Sequence, residues 1–195
     1  MKLYDVYLSG NCYKVRLFAA LANIELETVP VDFANGEHQK PPLSDLNPFC
    51  QLPILQDGPH VFRDAQAILV YLAGQHGGLM WWPDNAYGQA DIVQWLSFAA
   101  NEVQHSLNEA RLVMKFGYAL DHSAVLARSE GVLRVLEKHL DRNDWLAIGR
   151  PSIADCAVYP YVAMASEGGI NLSVYPHILR WIERVRKLPG YLPTP

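Results

Sequence analysis

The chain has few cysteines and no clustered histidines, and both shortages exclude classes of site. Three cysteines occur among 195 residues, at positions 12, 50 and 156. They are too few and too scattered for a disulfide framework or a structural zinc site, which need paired spacings. The seven histidines lie at least 15 residues apart. We therefore expect no metal site and a reducing compartment.

The chain also has no large excess of charge of one sign and no long apolar run. The net charge of −4 and the isoelectric point near 5.9 leave no basic surface for nucleic acid. No run of about 18 apolar residues occurs, and polar residues interrupt positions 1–21, so we expect neither a membrane span nor a signal peptide. Glycine-rich nucleotide loops are missing too. These absences predict a cytoplasmic globular protein without a bound nucleotide.

Strand and helix patterns alternate in the first part of the chain. Strands are predicted over residues 3–8, 25–30, 52–55 and 60–63, and helices over 13–22 and 65–73, with a polar stretch up to Asn47. Asp57-Gly58 between the last two strands is a hairpin signal. Residues 1–78 are therefore predicted to form an α/β domain with a small mixed sheet.

After residue 86 the pattern is helical throughout. Helices are predicted over 89–113 and 124–140, which gives an all-helical bundle domain over 86–195 and a linker over 79–85. Ser152 and Asp155 have the spacing of a capping box ahead of an almost wholly apolar helix. We interpret that pair as structural.

Ser9 lies where the first strand pattern gives way to a helix, in the sequence Leu8-Ser9-Gly10-Asn11-Cys12. Free backbone N–H groups and the positive end of a helix dipole collect at such a point and stabilise an anion. The simpler alternative is that Ser9 or Asn11 only caps the helix, which is the commonest role of these residues.

Three further blocks carry a family resemblance. They are EHQKP at 37–41, LNPFCQLPIL at 46–55 and FRDAQAILVYL at 62–72. In order and spacing they resemble the glutathione-binding half of the cytosolic glutathione transferases, with a serine-class-like, bacterial-type site, and the likeness continues through the C-terminal half. It implies a thioredoxin-like domain with a mixed four-stranded sheet, followed by a helical bundle. It also implies a homodimer that takes glutathione as co-substrate, without another cofactor, and transfers it to small electrophiles.

The resemblance assigns the peptide-binding residues. Pro53 would follow a cis peptide bond that turns the N–H and C=O of Leu52 towards the glutathione backbone, the alternative being an ordinary trans proline. Asp64 would meet the γ-glutamyl amine. Ala65 replaces the family's usual serine, so only its N–H would remain for the γ-glutamyl carboxylate.

The glycyl end of glutathione is assigned to His38 and Gln51, with Lys40 as an alternative cation. For His38 and Lys40 a solvated polar loop is an equal alternative. Cys50 stands in place of the usual glycine, and we interpret it as a small apolar residue.

The sulfur would meet Ser9, as in the serine-type classes, although Asn11 is an alternative donor. Cys12 has no partner cysteine at position 9 and therefore no local dithiol cycle.

The electrophile would lie between Ser9 and the helix over 89–113. Polar residues at helical spacing there are Asn101, Gln104, His105, Asn108 and Arg111. We expect most of them on a solvated face, and keep His105 and Arg111 as candidate contacts. Two other functions stay open: a glutathione-dependent disulfide reductase or peroxidase that uses Asn11 and Ser9, and a non-catalytic binding protein, which Ala65 and Cys50 suggest.

Overall fold

The computed structural model describes residues 1–195 and begins with a four-stranded mixed sheet. Its strands are β1 (Lys2–Asp5), β2 (Glu27–Pro30), β3 (Ile54–Asp57) and β4 (His60–Arg63). Their order is β2-β1-β3-β4, with β1 parallel to β2, and β3 antiparallel to both β1 and β4. The predicted mixed sheet is confirmed.

Helices flank the sheet and form most of the remaining chain. They are α1 (Gly10–Leu21), α2 (Leu43–Leu46), α3 (Ala65–Leu72), α4 (Gly78–Trp81), α5 (Ala86–Phe98), α6 (Glu109–Phe116), α7 (His122–Leu140), α8 (Ile153–Ala163) and α9 (Pro176–Arg186). A π-helical segment, Ala99–Asn108, joins α5 to α6. The thioredoxin-like domain and the helical bundle are thus confirmed. None of the helices combines the length and apolarity that crossing a bilayer requires.

The boundaries of three predicted strands are wrong, and the second strand begins at Glu27 rather than at residue 25. The first strand ends at Asp5 rather than at residue 8, because the chain turns there and the Ser9 N–H donates to the Val6 carbonyl at 2.9 Å. The strand predicted over 52–55 begins only at Ile54. Pro53 has no N–H to donate to a sheet.

The structure also adds helical turns where none are predicted. Within the polar stretch, Glu37–Gln39 forms a 3₁₀ turn and Leu43–Leu46 forms α2. Residues 79–81 of the predicted linker belong to α4. The division into units 1–78 and 86–195 stays a prediction.

The main core, of 37 buried residues, runs through both halves of the chain. α8 lies at its centre, with every residue from Ile153 to Val162 buried. The capping box of Ser152 and Asp155 is confirmed, since the Ser152 N–H donates to Asp155 Oδ2 at 3.0 Å. α1 packs directly against α8, and a Cβ at Gly10 would lie 2.3 Å from the Tyr161 ring. Only glycine fits at the first residue of α1.

Candidate active site

Four of the predicted site residues lie at one edge of the sheet. The C-terminal ends of β1, β2 and β4 meet the N-terminal end of β3 there, because β3 runs antiparallel to β1 and β4. The segments that leave or enter the sheet at this edge carry Ser9, His38, Asp64 and Pro53. The order and direction of the strands therefore bring together residues that are up to 55 positions apart in sequence.

Ser9 is the N-cap of α1 and is half-buried. Its Oγ accepts a hydrogen bond from the Cys12 N–H at 3.3 Å. A hydroxyl can accept two hydrogen bonds and donate one. The capping bond leaves the O–H of Ser9 free to donate, so capping and thiolate binding are compatible at this residue.

Asn11 and Cys12 follow in the first turn of α1 and differ in accessibility. Asn11 is half-buried, and its Nδ2 donates to Gln104 Oε1 of the helical half at 3.4 Å. Cys12 is fully buried, and burial raises the pKa of its thiol to about 12. A thiol held protonated in this way is a poor nucleophile, which supports a structural role for Cys12.

The Leu52-Pro53 peptide bond is cis. The N–H and C=O of Leu52 take part in none of the backbone hydrogen bonds of the chain, so both are available to an added peptide. Cys50 has a positive φ of 51°. That left-handed backbone explains why glycine suits this position and shows that Cys50 occupies it at some conformational cost.

Asp64 and Ala65 form the start of α3. Asp64 Oδ1 accepts the N–H groups of Gln66 at 2.9 Å and Ala67 at 3.1 Å, which leaves its other oxygen free on an exposed side chain. Asp64 has φ 75° and ψ 126°, a conformation that is rare for a residue with a side chain. The Ala65 N–H has no partner within the chain and points out of a helix N-terminus, where an anion is favoured.

The residues assigned to the glycyl end have different surroundings. His38 is buried, and its ring stacks on Phe33 with 3.9 Å between centroids, so the solvated-loop alternative is wrong for His38. Its Nδ1 has no hydrogen-bond partner. Lys40 and the side chain of Gln51 are exposed, and the Gln51 carbonyl accepts from Asn47 Nδ2 at 2.8 Å.

The polar residues of the long helix do not share one face. Asn108 is buried, so the expectation of a solvated face is wrong for this residue, and Arg111, which we kept as a candidate contact, is buried as well. Arg111 donates from Nη1 to the Leu8 carbonyl at 2.9 Å and pairs through Nε with Glu167. His105 instead lies in a shallow groove towards α7, where its exposed ring contacts Glu109 at 2.9 Å. Arg111 is therefore next to the Ser9 segment, whereas His105 faces another helix.

One buried charged residue near the site was missed by the sequence patterns. Lys14 of α1 is fully buried, and its Nζ has no hydrogen-bond partner and lies 5.2 Å from the centroid of the Tyr161 ring. Burial lowers the pKa of Lys14 to about 7, although the charge of Asp64 opposes this change. Burial also raises the pKa of Tyr161. A lysine within a helical pattern gives no signal that it points inward.

Comparison with known proteins agrees with this geometry. Residues 1–74 match the family model of the glutathione S-transferase N-terminal domain, and residues 119–189 match that of the C-terminal domain. Glutathione S-transferase 3 of Zea mays is 30% identical over 100% of this chain and 92% of its own length. Disulfide-bond oxidoreductase YfcG of Escherichia coli is 27% identical over 96% of this chain and 92% of its own length.

A solved structure extends the agreement to the whole fold. A possible glutathione S-transferase from Rhodopseudomonas palustris superposes with a TM-score of 0.91 and 34% identity, covering 99% of this chain and 97% of that one. Both domain models, a full-length relative at 30% identity and this superposition agree with each other. The chain belongs to the glutathione S-transferase family.

Proposed function

We propose that this enzyme conjugates the thiolate of glutathione to small electrophiles at the sheet edge that carries Ser9, Pro53 and Asp64. The observation that carries the proposal is a matched set of free groups at this edge. They are the backbone of Leu52, the Ala65 N–H, the second carboxylate oxygen of Asp64 and the Ser9 O–H. Together they provide what a small γ-linked peptide with a thiol requires.

Each end of glutathione has a complementary group. Leu52 pairs with the peptide backbone in the manner of an added strand. Asp64 receives the γ-glutamyl amine, and the Ala65 N–H receives the γ-glutamyl carboxylate at the start of α3. His38 and Gln51 serve the glycyl end. Because Ala65 lacks the serine hydroxyl, one charge-assisted hydrogen bond to the γ-glutamyl carboxylate is lost, worth about 1.5 to 3 kcal/mol.

Ser9 lowers the pKa of the bound thiol by donating its O–H to the sulfur at the positive end of α1. A free thiol of pKa about 8.5 is roughly 3% ionised at pH 7, and a pKa of about 7 makes roughly half of it thiolate, a gain of about 16-fold. The weaker nucleophilicity of a less basic thiolate removes about 4- to 6-fold of that gain. Holding the thiolate and the electrophile together supplies the remainder.

A disulfide reductase or peroxidase is the second candidate, and two observations favour it. One relative is named a disulfide-bond oxidoreductase, and Asn11 uses its Nδ2 in one long bond of 3.4 Å to Gln104. An amide nitrogen carries two hydrogens, so the other can point to a glutathione sulfur. A non-catalytic binding protein is the third candidate.

Two measurements separate these functions. Calorimetry with glutathione separates both enzymes from a protein that does not bind it. Turnover of an aryl halide is then compared with turnover of a mixed glutathione disulfide. We expect glutathione binding and faster turnover of the aryl halide. Faster turnover of the disulfide would instead establish the reductase.

The remaining assignments extend the same proposal. We infer a homodimer, which analytical ultracentrifugation tests directly, and a cytoplasmic location. Glutathione acts as a co-substrate, and no resident cofactor is needed for the transfer.

A further inference from the structure

The segment before Ser9 is held mainly by its carbonyl groups, although Val6 at its start packs against a small apolar cluster. We call residues 6–9 the Ser9 turn. The side chains of Tyr7 and Leu8 within it are 67% and 39% exposed. One backbone bond closes the turn, from the Ser9 N–H to the Val6 carbonyl. Little apolar burial therefore fixes the direction of the Ser9 hydroxyl.

Two arginines bind consecutive carbonyls of the Ser9 turn. Arg16 of α1 donates from Nη2 to the Tyr7 carbonyl at 2.6 Å, and from Nη1 to Asp5 at 2.8 Å. Arg111 donates from Nη1 to the Leu8 carbonyl at 2.9 Å. Arg16 belongs to the same domain as the turn, whereas Arg111 reaches it from the helical half, 103 residues away in sequence.

Arg111 is itself held rigidly. Its side chain is 3% exposed and pairs through Nε with Glu167. The other oxygen of Glu167 accepts from Lys115 Nζ at 2.8 Å, and the Phe116 ring lies 5.1 Å from the guanidinium carbon of Arg111. A guanidinium presents several donors in a fixed fork, so one side chain can bind a carboxylate and a carbonyl at the same time.

We propose that Arg111 is a positioning residue: by fixing the Leu8 carbonyl from the helical half, it directs the Ser9 hydroxyl towards the glutathione sulfur. This inference rests on the proposed role of Ser9. It differs from a substrate contact, because the guanidinium lies beneath the turn and is almost wholly covered.

The test replaces Arg111 by methionine and by lysine. Ultraviolet thiolate absorbance of bound glutathione is measured against pH, together with kcat, KM and glutathione affinity. For Arg111→Met we expect the thiol pKa to rise from about 7 by about 0.5 to 1, which lowers the thiolate fraction at pH 7 by about 2- to 5-fold and kcat by up to the same factor. Glutathione affinity should change less than about 3-fold, and the loss of kcat should shrink at alkaline pH.

Lys115→Met is the matched control. Lys115 shares Glu167 with Arg111 but makes no bond to the turn, so its removal should leave the titration as in the wild type. If Arg111→Met fails to fold, Arg111→Lys carries the test. Lysine keeps a positive charge for Glu167, but its single ammonium cannot bind both Glu167 and the Leu8 carbonyl as the guanidinium does. We therefore expect the thiol pKa to rise, by less than in Arg111→Met. A folded Arg111 variant with the wild-type thiol pKa and kcat would overturn the inference.

Ser9→Ala in the same assay separates this inference from the proposed function. If Ser9→Ala leaves the thiol pKa unchanged, the proposed role of Ser9 fails and the positioning role of Arg111 fails with it. If Ser9→Ala raises the thiol pKa and the Arg111 variants do not, only the positioning role fails. Adding Arg111→Met to Ser9→Ala should have little further effect, because both act through one hydroxyl. An additive effect would mean that Arg111 acts by its own charge and would contradict positioning.

Discussion

Replacing Lys14 by methionine should stabilise the protein, and most strongly at neutral pH and below. The ammonium of Lys14 is fully buried among α1, α3 and α8 without a hydrogen-bond partner. The groups that face it are the Tyr161 ring and, at longer range, the carboxylate of Asp64. Burial accordingly lowers the pKa of Lys14 from its ordinary 10.5 to about 7. The folded state thus disfavours the protonated amine.

The size of this stabilisation follows from the number of protons that the folded and the unfolded state bind at Lys14. The unfolded chain keeps the Lys14 proton up to about pH 10.5, whereas the folded protein releases it near pH 7. Between these values the unfolded state binds more protons, so the free energy of unfolding rises with pH by up to about 1.4 kcal/mol per unit. Below pH 7 the folded protein carries the full free-energy penalty of the buried, protonated amine, which is about 5 kcal/mol from the difference between the two pKa values.

Methionine matches the length of lysine and carries no charge. The variant therefore has no penalty for a buried ammonium, and its free energy of unfolding does not gain the pH dependence that Lys14 causes. Allowing about 1 to 3 kcal/mol for imperfect repacking, we expect Lys14→Met to be about 2 to 4 kcal/mol more stable near pH 6.5. This advantage should shrink steadily towards pH 10.

Urea unfolding followed by circular dichroism at several pH values measures the stability difference between the two proteins and its dependence on pH. Lys138→Met is the matched control, since Lys138 is exposed on α7 and should change stability by less than about 0.5 kcal/mol. A Lys14→Met protein less stable than the wild type near pH 6.5 would refute the reasoning. So would an advantage that does not shrink as the pH rises.

Two further predictions concern the caps of α3 and α8. Asp64→Asn should weaken glutathione binding by about 1.5 to 3 kcal/mol in calorimetry while changing stability by less than about 0.5 kcal/mol, because asparagine keeps the capping oxygen; unchanged affinity would remove the Asp64 carboxylate from the site. Ser152→Ala should lower the free energy of unfolding by about 1 kcal/mol with kcat and KM per folded molecule unchanged. Lost turnover at full stability would contradict its structural role.

Local patterns predicted those parts of the fold that local physics determines. The strand over His60–Arg63 follows from its two apolar residues and the Asp57-Gly58 turn before it, and the structure has the same bounds. The capping box of α8 likewise depends on residues three positions apart. The first strand was predicted too long because Tyr7 and Leu8 are apolar, yet they lie exposed on a turn. Hydrophobicity alone does not mark where a strand leaves its sheet.

Burial of charged residues could not be predicted in the same way. Lys14 and Arg111 lie in helical patterns that give no signal of burial. Lys14 lies beside the Tyr161 ring and Arg111 bonds to the Leu8 carbonyl, and both of these neighbours are far along the chain. The interruption of the long helix was not predicted either: the π-helical segment has non-helical backbone angles at His105 and carries Gln104, which bonds to Asn11 in the other half. The resemblance of the three sequence blocks supplied the candidate glutathione residues, whereas side-chain patterns alone did not specify a ligand.

The most direct test of the account is the thiolate titration of bound glutathione in Ser9→Ala and Asn11→Ala. If Ser9 donates to the sulfur, its removal should raise the thiol pKa and cut turnover near neutral pH by about 10-fold or more. Such a loss fits a charge-assisted hydrogen bond of about 1.5 to 3 kcal/mol. Glutathione affinity should change little, and Asn11→Ala should have the smaller effect. If Ser9→Ala leaves titration and turnover unchanged while Asn11→Ala abolishes them, the assignment of Ser9 is wrong and the disulfide reductase becomes the better account.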